Sequence, residues 1–183
     1  IGKSVFDWTR LLVLAPFKTG HLMKDKAVVV EMGVDSPSHP RNMTYLLSIV
    51  KPHIASITNV SPVHGENYES MVTRPTKEAI TQAIAHEKCK IITENPSCTL
   101  GIYNADSTHI TQELQASRTS LATFGTSEGA DIYVSNYTIT ESGTIFTYSL
   151  STHKIVKIVV EKHVLPRGYA DVFAPAILVG LHM

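Results

Sequence analysis

The chain has 183 residues, with 16 Lys and Arg against 16 Asp and Glu, which gives a formal net charge of +0. Balanced charge argues against nucleic acid or an anionic membrane surface as the main partner. No apolar run reaches the roughly 20 residues that cross a bilayer, and no signal-peptide pattern opens the chain. The two cysteines, Cys89 and Cys98, form neither a metal-ligand pattern nor a disulfide framework, which favours a reducing compartment. We therefore expect one domain over residues 1–183, small-molecule substrates and a cytoplasmic location.

The first half of the chain alternates predicted helices and strands. An apolar helical face opens it, made by Phe6, Trp8, Leu11 and Leu12. Residues 27–32 are a β-branched run that ends in a carboxylate and a methionine, which is typical of a strand covered on both faces. A turn at 35–40, a helix over 41–50, a strand over 54–59, a polar loop through His64 and Glu66, and a helix over 75–91 follow.

The second half predicts a change of architecture. A strand over 99–103, a helix over 108–116 and a strand over 121–124 continue the alternation. Three extended stretches without intervening helices follow at 130–139, 143–150 and 154–161, before a final helix over 170–181 that contains Pro175. The fold class is therefore α/β: a mainly parallel sheet flanked by helices, with a small antiparallel β-sheet towards the C-terminus. Ligands are expected at the carboxyl ends of the parallel strands.

The opening residues match the tail of a phosphate-binding loop. Gly2, Lys3 and Ser4 have the order of the last three positions of G-x-x-x-x-G-K-[ST]. In such a loop glycine lets backbone N–H groups approach phosphate, lysine neutralises it and the hydroxyl binds Mg²⁺. A flexible chain end with this tripeptide by chance is the alternative interpretation.

Several further motifs, taken in order, resemble those of the Mur ligase family. They are Val28-Val29-Val30-Glu31-Met32-Gly33, then Thr58-Asn59 followed by His64, then Ala85-His86-Glu87-Lys88, then Asn104-Ala105-Asp106, then Thr123-Phe124-Gly125 and Ala130-Asp131. The resemblance covers most of the chain and implies a P-loop type central ATP-binding domain. Glu-Met-Gly is most similar to the branch that adds D-alanyl-D-alanine to the UDP-muramoyl tripeptide, whereas related ligases that act on folate share the ATP machinery.

The resemblance implies a role for each matched residue. Gly2 and Lys3 would hold phosphate, and Ser4 and Glu31 would hold one Mg²⁺. His64 and a carbamate on Lys88 would serve a second Mg²⁺, because carbamylation turns a cationic amine into an anionic oxygen ligand. Nucleotide contacts are implied for three residues after strands, which are Asn59, Asn104 and Asp106. ATP and Mg²⁺ are thus the implied cofactors, and a UDP-linked peptide or similar carboxylate and an amine are the implied substrates.

Each residue also has a simpler interpretation. Glu31 could be a solvated strand end, and Lys88 a cation in the last turn of a helix. His64 is one of nine histidines. Asn104 and Asp106 could make a turn or cap the next helix.

Two features depart from the family pattern. Only residues 5–26 separate the phosphate-loop segment from the Glu31 strand, where the family has a longer segment. Farther on, a Gly-Arg-His-Asn-like motif retains only Arg167. The leading hypothesis is an ATP-dependent amide-bond ligase of cell-wall precursor synthesis. A non-catalytic nucleotide-binding module with the same fold is the second, and a P-loop phosphotransferase the third.

Overall fold

The computed structural model describes residues 27–63 and 65–183. The chain divides into two compact units, Ile1–Met32 and Gly33–Met183. Every helix and strand below belongs to the second unit. The predicted first helix, with Phe6, Trp8, Leu11 and Leu12, lies outside the described residues.

Among the described residues, six strands form one sheet in sequence order. They are β1 (Ile54–Ile57), β2 (Leu100–Asn104), β3 (Ser120–Gly125), β4 (Ile132–Thr140), β5 (Gly143–Leu150) and β6 (Ile155–Glu161). Strands β1 to β4 pair in parallel, and β4, β5 and β6 pair antiparallel. The mainly parallel α/β prediction is confirmed, and the antiparallel strands continue the parallel sheet directly.

In the described part of the chain, four α-helices accompany the sheet. They are α1 (Met43–Ile49), α2 (Lys77–Thr93), α3 (Thr108–Leu114) and α4 (Ala170–His182). The first three begin after side-chain caps, in which Asn42, Thr76 and Ser107 accept a hydrogen bond from the backbone N–H three residues on. Such a cap satisfies a donor that the first turn leaves unpaired. Short 3-10 helices cover Gly65–Met71, within the predicted polar loop, and Arg167–Tyr169.

One hydrophobic core cluster lies between the sheet and α4. Ile102 of β2, Phe124 of β3 and Phe146 of β5 are fully buried, and Ala174 and Leu178 of α4 pack in the same cluster. Small and branched side chains on α4 pack against the large side chains of the sheet. This close packing positions α4, and with it the first turn of α4, on the sheet.

One predicted strand is wrong. Residues 27–32 form no strand, and Val28, Val29 and Val30 are solvent-exposed, Val29 by 97%. A run of β-branched residues favours extended backbone, but a strand also needs a hydrogen-bonded neighbour and a cover for its side chains. The valine run has neither among the described residues.

Among the described residues, no helix has both the length and the apolar character needed to cross a membrane.

Candidate active site

The carboxyl ends of β1, β2 and β3 form one edge of the sheet. The strands are parallel neighbours, with Ile57 opposite Tyr103 and Asn104 opposite Phe124. Strands in a sheet lie about 4.8 Å apart, so the residues that follow them are close together. Asn59 follows β1 and Asn104 ends β2, which places two predicted nucleotide contacts at this edge.

Helix α2 brings Lys88 to the same edge. The Nζ atom of Lys88 donates a hydrogen bond of 3.2 Å to the backbone carbonyl oxygen of Asn59. Burial lowers the pKa of Lys88, although the negative charge of Asp35 acts in the opposite direction. The structure therefore brings together two predicted site residues, through the backbone of Asn59 and not its side chain.

The residue before Lys88 fixes helix α2 against α1. Glu87 is 3% exposed; its Oε1 atom accepts a hydrogen bond of 2.7 Å from the backbone N–H of Met43, and its Oε2 atom lies 2.8 Å from Nζ of Lys90. A buried carboxylate is tolerated only when it is paired in this way. Glu87 thus holds the part of α2 that carries Lys88.

Two residues of this region, Asp35 and Tyr68, were missed by the sequence interpretation; the charge of Asp35 acts on both Lys88 and Tyr68. The backbone carbonyl of Asp35 accepts a hydrogen bond of 2.8 Å from Nδ2 of Asn67, which ties the Asp35 loop to the 3-10 helix Gly65–Met71. Tyr68 in this 3-10 helix is buried, and its hydroxyl has no hydrogen-bond partner among the described residues. Burial and the charges of Glu87 and Asp35 raise the pKa of Tyr68 to about 12, so the hydroxyl keeps its proton at neutral pH. Asp35 was assigned only to a turn, and nothing in the sequence distinguishes Tyr68 from an ordinary core tyrosine.

The Asn104 and Asp106 side chains build a turn after β2. Oδ1 of Asn104 accepts a hydrogen bond of 2.9 Å from the backbone N–H of Asp106. Both carboxylate oxygens of Asp106 accept from the backbone N–H of Thr126, at 2.9 and 3.1 Å. Gly125, at the end of β3, makes room for this contact, since a Cβ there would lie 2.8 Å from Oδ1 of Asp106. Asn104 and Asp106 therefore make a turn, as the simpler interpretation of these two residues predicted. The cap of helix α3 is a different residue, Ser107.

The start of helix α4 lies beside this turn. Burial and the charge of Asp106 raise the pKa of Asp171, in the first turn of α4, while Arg167 lowers it. Arg167, which is the one residue that matches the family's Gly-Arg-His-Asn-like motif, is therefore close enough to Asp171 for its charge to act on that carboxylate.

The remaining five predicted site residues are Gly2, Lys3, Ser4, Glu31 and His64. Gly2, Lys3, Ser4 and His64 lie outside the described residues. Glu31 belongs to the unit Ile1–Met32 and is solvent-exposed, in the stretch where the predicted strand is absent. Its supposed position at a strand end is therefore wrong, because no strand forms there.

The part of the chain that the structure describes contains no group of three or more His, Cys, Asp or Glu that could hold a metal ion. A cavity of about 330 Å³ lies near the amino ends of β2 and β3, with Asn95, Cys98 and Arg118 in its wall. None of the predicted site residues lines this cavity.

Solved structures share this fold. The MurF ligase from Thermotoga maritima in complex with ADP matches with a TM-score of 0.60 and 18% identity, over 76% of this chain and 30% of that one. The UDP-N-acetylmuramoylalanyl-D-glutamyl-2,6-diaminopimelate–D-alanyl-D-alanyl ligase from Acinetobacter baumannii matches with a TM-score of 0.53 and 15% identity, over 78% and 29%. The apo form of L. casei FPGS matches with a TM-score of 0.59 and 15% identity, over 88% and 34%. The chain thus spans about a third of the length of these proteins.

No curated protein matches the sequence. The family model of the Mur ligase middle domain matches residues 17–167, which is most of the chain. The motif order, the mainly parallel sheet and this match agree, and the chain belongs to the Mur ligase middle domain family.

Proposed function

We propose that the protein is an ATP-dependent amide-bond ligase, which activates a carboxylate as an acyl phosphate and joins it to an amine. The observation that carries the proposal is the position of Lys88, whose amine lies 3.2 Å from the Asn59 carbonyl at the carboxyl edge of the sheet. In an open α/β sheet this edge is where ligands bind. The family and the ADP complex of the Thermotoga maritima MurF ligase support a nucleotide there.

The proposed reaction has two steps. A substrate carboxylate oxygen attacks the γ-phosphorus of ATP and ADP leaves, which gives an acyl phosphate. The amine then attacks the acyl carbon, and inorganic phosphate leaves as the amide bond forms. Both partners of the first step are anionic, so the site must reduce their repulsion by positive charge.

The residues for this task are those that the resemblance implies. Gly2 and Lys3 would hold phosphate, and the hydroxyl of Ser4 and the carboxylate of Glu31 would hold Mg²⁺. Asn59, Asn104 and Asp106 would contact the nucleotide. His64 and Lys88 would serve a second Mg²⁺.

The chemistry of Lys88 fits a carbamate. Carbamate formation consumes a neutral amine, and burial of Lys88 lowers its pKa, which increases the neutral fraction. The amine adds to the carbon of CO₂, and one of its protons leaves. The product is an anionic oxygen donor, which is what Mg²⁺ prefers. When bound, the ion would supply positive charge to the phosphate oxygens.

The substrate class is a finer proposal. A UDP-linked peptide as the carboxylate and D-alanyl-D-alanine as the amine would make this an enzyme of peptidoglycan synthesis, acting in the cytoplasm. The Glu-Met-Gly sequence at 31–33 and the two MurF-type ligases favour this class. FPGS has the same fold, so the fold alone does not select the substrate.

Phosphate release by the full-length protein tests the proposal, since the chain spans about a third of the matched ligases. We expect release from ATP only when a UDP-muramoyl peptide and D-alanyl-D-alanine are both present, with the coupled product seen by mass spectrometry. Glu31→Ala should abolish turnover while the far-ultraviolet circular dichroism spectrum stays unchanged. Nucleotide binding without turnover, across a broad panel of carboxylates and amines, would favour the non-catalytic module.

A further inference from the structure

The last strand of the sheet has a free edge. In the part of the chain that the structure describes, β6 lies at one end of the strand order and pairs with β5 alone. The pairing runs over seven consecutive residues without a register shift, so β6 is regular along its whole length. A regular edge strand presents a row of unpaired backbone N–H and C=O groups, which is a template for another strand.

Two backbone hydrogen bonds show which residues of β6 face outward. The N–H of Leu150 donates to the carbonyl oxygen of Lys154 at 2.9 Å, and the N–H of Lys162 donates to that of Ser142 at 2.7 Å. The residues that flank β6 therefore direct their backbone groups towards the β5 side. Because this direction alternates along an antiparallel ladder, every second residue of β6, beginning with the first, faces outward. These residues are Ile155, Lys157, Val159 and Glu161.

The same four residues also have exposed side chains. Ile155 is 70% exposed and Val159 is 56% exposed, and the two charged residues between and after them are exposed as well. The alternate side chains of β6 pack against the core cluster instead. The free edge thus carries β-branched apolar side chains on its open face, and such side chains favour pairing with a further strand.

The charges of this edge are complementary to those of a second copy of the chain. Neither Lys157 nor Glu161 forms an ion pair or a side-chain hydrogen bond with another described residue. A lysine alone on an edge opposes strand pairing. When two β6 strands pair antiparallel about Val159, however, Lys157 of each copy lies opposite Glu161 of the other, since both are two residues from the centre. The pairing therefore brings together two pairs of opposite charge on one face of the sheet.

Charge also disfavours the neighbouring registers. If the cores of both copies are on the same side of the joined sheet, the two-fold axis must pass through a residue, because side chains alternate between the faces. An axis at Ile158 would place Lys154 opposite Lys162 of the other copy. An axis at Lys157 would place this lysine opposite its own equivalent. Like charges directly opposite each other are destabilising, so the axis at Val159 is favoured.

We propose that the β6 edge is a dimer interface, at which a second copy of this chain pairs its β6 antiparallel with Val159 at the two-fold axis. The two six-stranded sheets then continue into each other. An interface made by one strand edge is small, so the dimer is weak and depends on concentration. β4 and β5 lie between β6 and β3, so the carboxyl edge of β1 to β3 is not part of the interface. The dimer is independent of the proposed ligase reaction.

Sedimentation velocity of the full-length protein, over a concentration range of about 1–200 μM, tests the proposal. We expect a monomer–dimer equilibrium in the wild type. Lys157→Glu and Glu161→Lys should each weaken dimerisation by about tenfold or more, because each creates two pairs of like charge across the axis. The double variant with both changes restores the opposite charges in reverse order. It should dimerise within about threefold of the wild type.

Val159→Pro tests the backbone contact. The N–H of Val159 faces outward, so proline removes no hydrogen bond to β5, and edge strands tolerate proline at such positions. We expect this variant to keep the far-ultraviolet circular dichroism spectrum of the wild type and to form no dimer. Val159→Thr, which keeps the N–H and the β-branched shape, should dimerise like the wild type.

Controls with the same charge changes outside the two pairs separate the interface from the effect of net charge. Lys154→Glu and Glu94→Lys, at exposed residues before β6 and after α2, should dimerise within about twofold of the wild type. Tighter dimerisation of Lys154→Glu would move the axis to Ile158 and overturn the proposed register.

Two results would overturn the interface itself. One is a wild-type protein that stays monomeric at about 200 μM. The other is a dimer whose affinity is unchanged in Lys157→Glu, Glu161→Lys and Val159→Pro, since such a dimer would use another surface.

Discussion

The Nζ atom of Lys88 and the carbonyl oxygen of Asn59 lie 3.2 Å apart, which joins helix α2 to the loop after β1. The lysine points from the last part of a 17-residue helix towards the carboxyl edge of the sheet. A group built on this amine would therefore reach the place where parallel α/β proteins bind their ligands.

The most direct mutation at this contact is Lys88→Ala. We expect turnover of the full-length protein to fall to the background level, because the proposed carbamate ligand is lost. Added acetate should restore part of the activity by placing a carboxylate in the vacated space. Phosphate release measures both effects, and Lys77→Ala, at the exposed start of α2, is the control. Wild-type turnover in Lys88→Ala would remove Lys88 from the mechanism.

The buried carboxylate next to Lys88 should matter mainly for stability. Glu87→Ala leaves the Met43 N–H and the Lys90 ammonium without their acceptor, and we expect a loss of about 2–3 kcal/mol in the free energy of unfolding. Glu87→Gln keeps an oxygen for Met43 and should cost about 1 kcal/mol. Urea unfolding measures both, with Glu94→Gln as an exposed control. A change below the error of that experiment in Glu87→Ala would contradict this account of how α1 and α2 are joined.

Gly125 allows the close approach of Asp106 to the end of β3. In Gly125→Ala the new methyl group would lie 2.8 Å from Oδ1 of Asp106, so the Asp106 carboxylate, which accepts from the Thr126 N–H, must shift. We expect a loss of about 1–3 kcal/mol in stability and weaker ADP binding by isothermal titration calorimetry. Gly180→Ala, in α4 with nothing within 4 Å of the added carbon, should bind ADP normally. Unchanged ADP affinity in Gly125→Ala would argue against nucleotide contact by this turn.

Asp171 predicts a specific pH dependence. Its pKa in the folded protein is raised above the ordinary value of 3.8, which applies to the unfolded chain. At a pH between the unfolded-state pKa and the folded-state pKa, the folded protein therefore binds more protons than the unfolded chain. Stability from this group therefore falls as the pH rises through that window, and the penalty is complete at neutral pH.

Replacing the carboxylate should remove this penalty. Asp171→Asn is expected to be more stable than the wild type at pH 7, and this gain should disappear below pH 3.8. Thermal unfolding at a series of pH values measures it, with Glu141→Gln as the control. A variant that is less stable than the wild type at pH 7 would show that the raised pKa is not the dominant effect.

Most of the fold could be predicted from the sequence because its elements carry strong local signals. Helix α2 has apolar residues at helical spacing after its cap, Thr76. The strands β4 to β6 are extended stretches separated by turns such as Glu141-Ser142-Gly143. The strand over 27–32 was predicted from three valines in a row. Whether a neighbouring strand pairs with such a run depends on tertiary structure, and here Val29 is exposed.

The site was predictable only in part. Lys88 by itself resembles an ordinary cation near a helix end, and only the resemblance to a family distinguished it. The Lys88 amine contacts the backbone carbonyl of Asn59, and every residue has such a carbonyl, so the sequence does not reveal this contact. Asp35 and Tyr68 are 33 residues apart in the chain, and their electrostatic interaction arises from packing that no local pattern encodes.

Transfer of oxygen from the carboxylate substrate to phosphate tests the central claim most directly. The full-length protein would be given ATP, D-alanyl-D-alanine and a UDP-muramoyl tripeptide labelled with ¹⁸O in its terminal carboxylate. The acyl phosphate route leaves one labelled oxygen on each inorganic phosphate released, which mass spectrometry detects. Phosphate that carries no label while the amide product forms would contradict the proposed ligase mechanism.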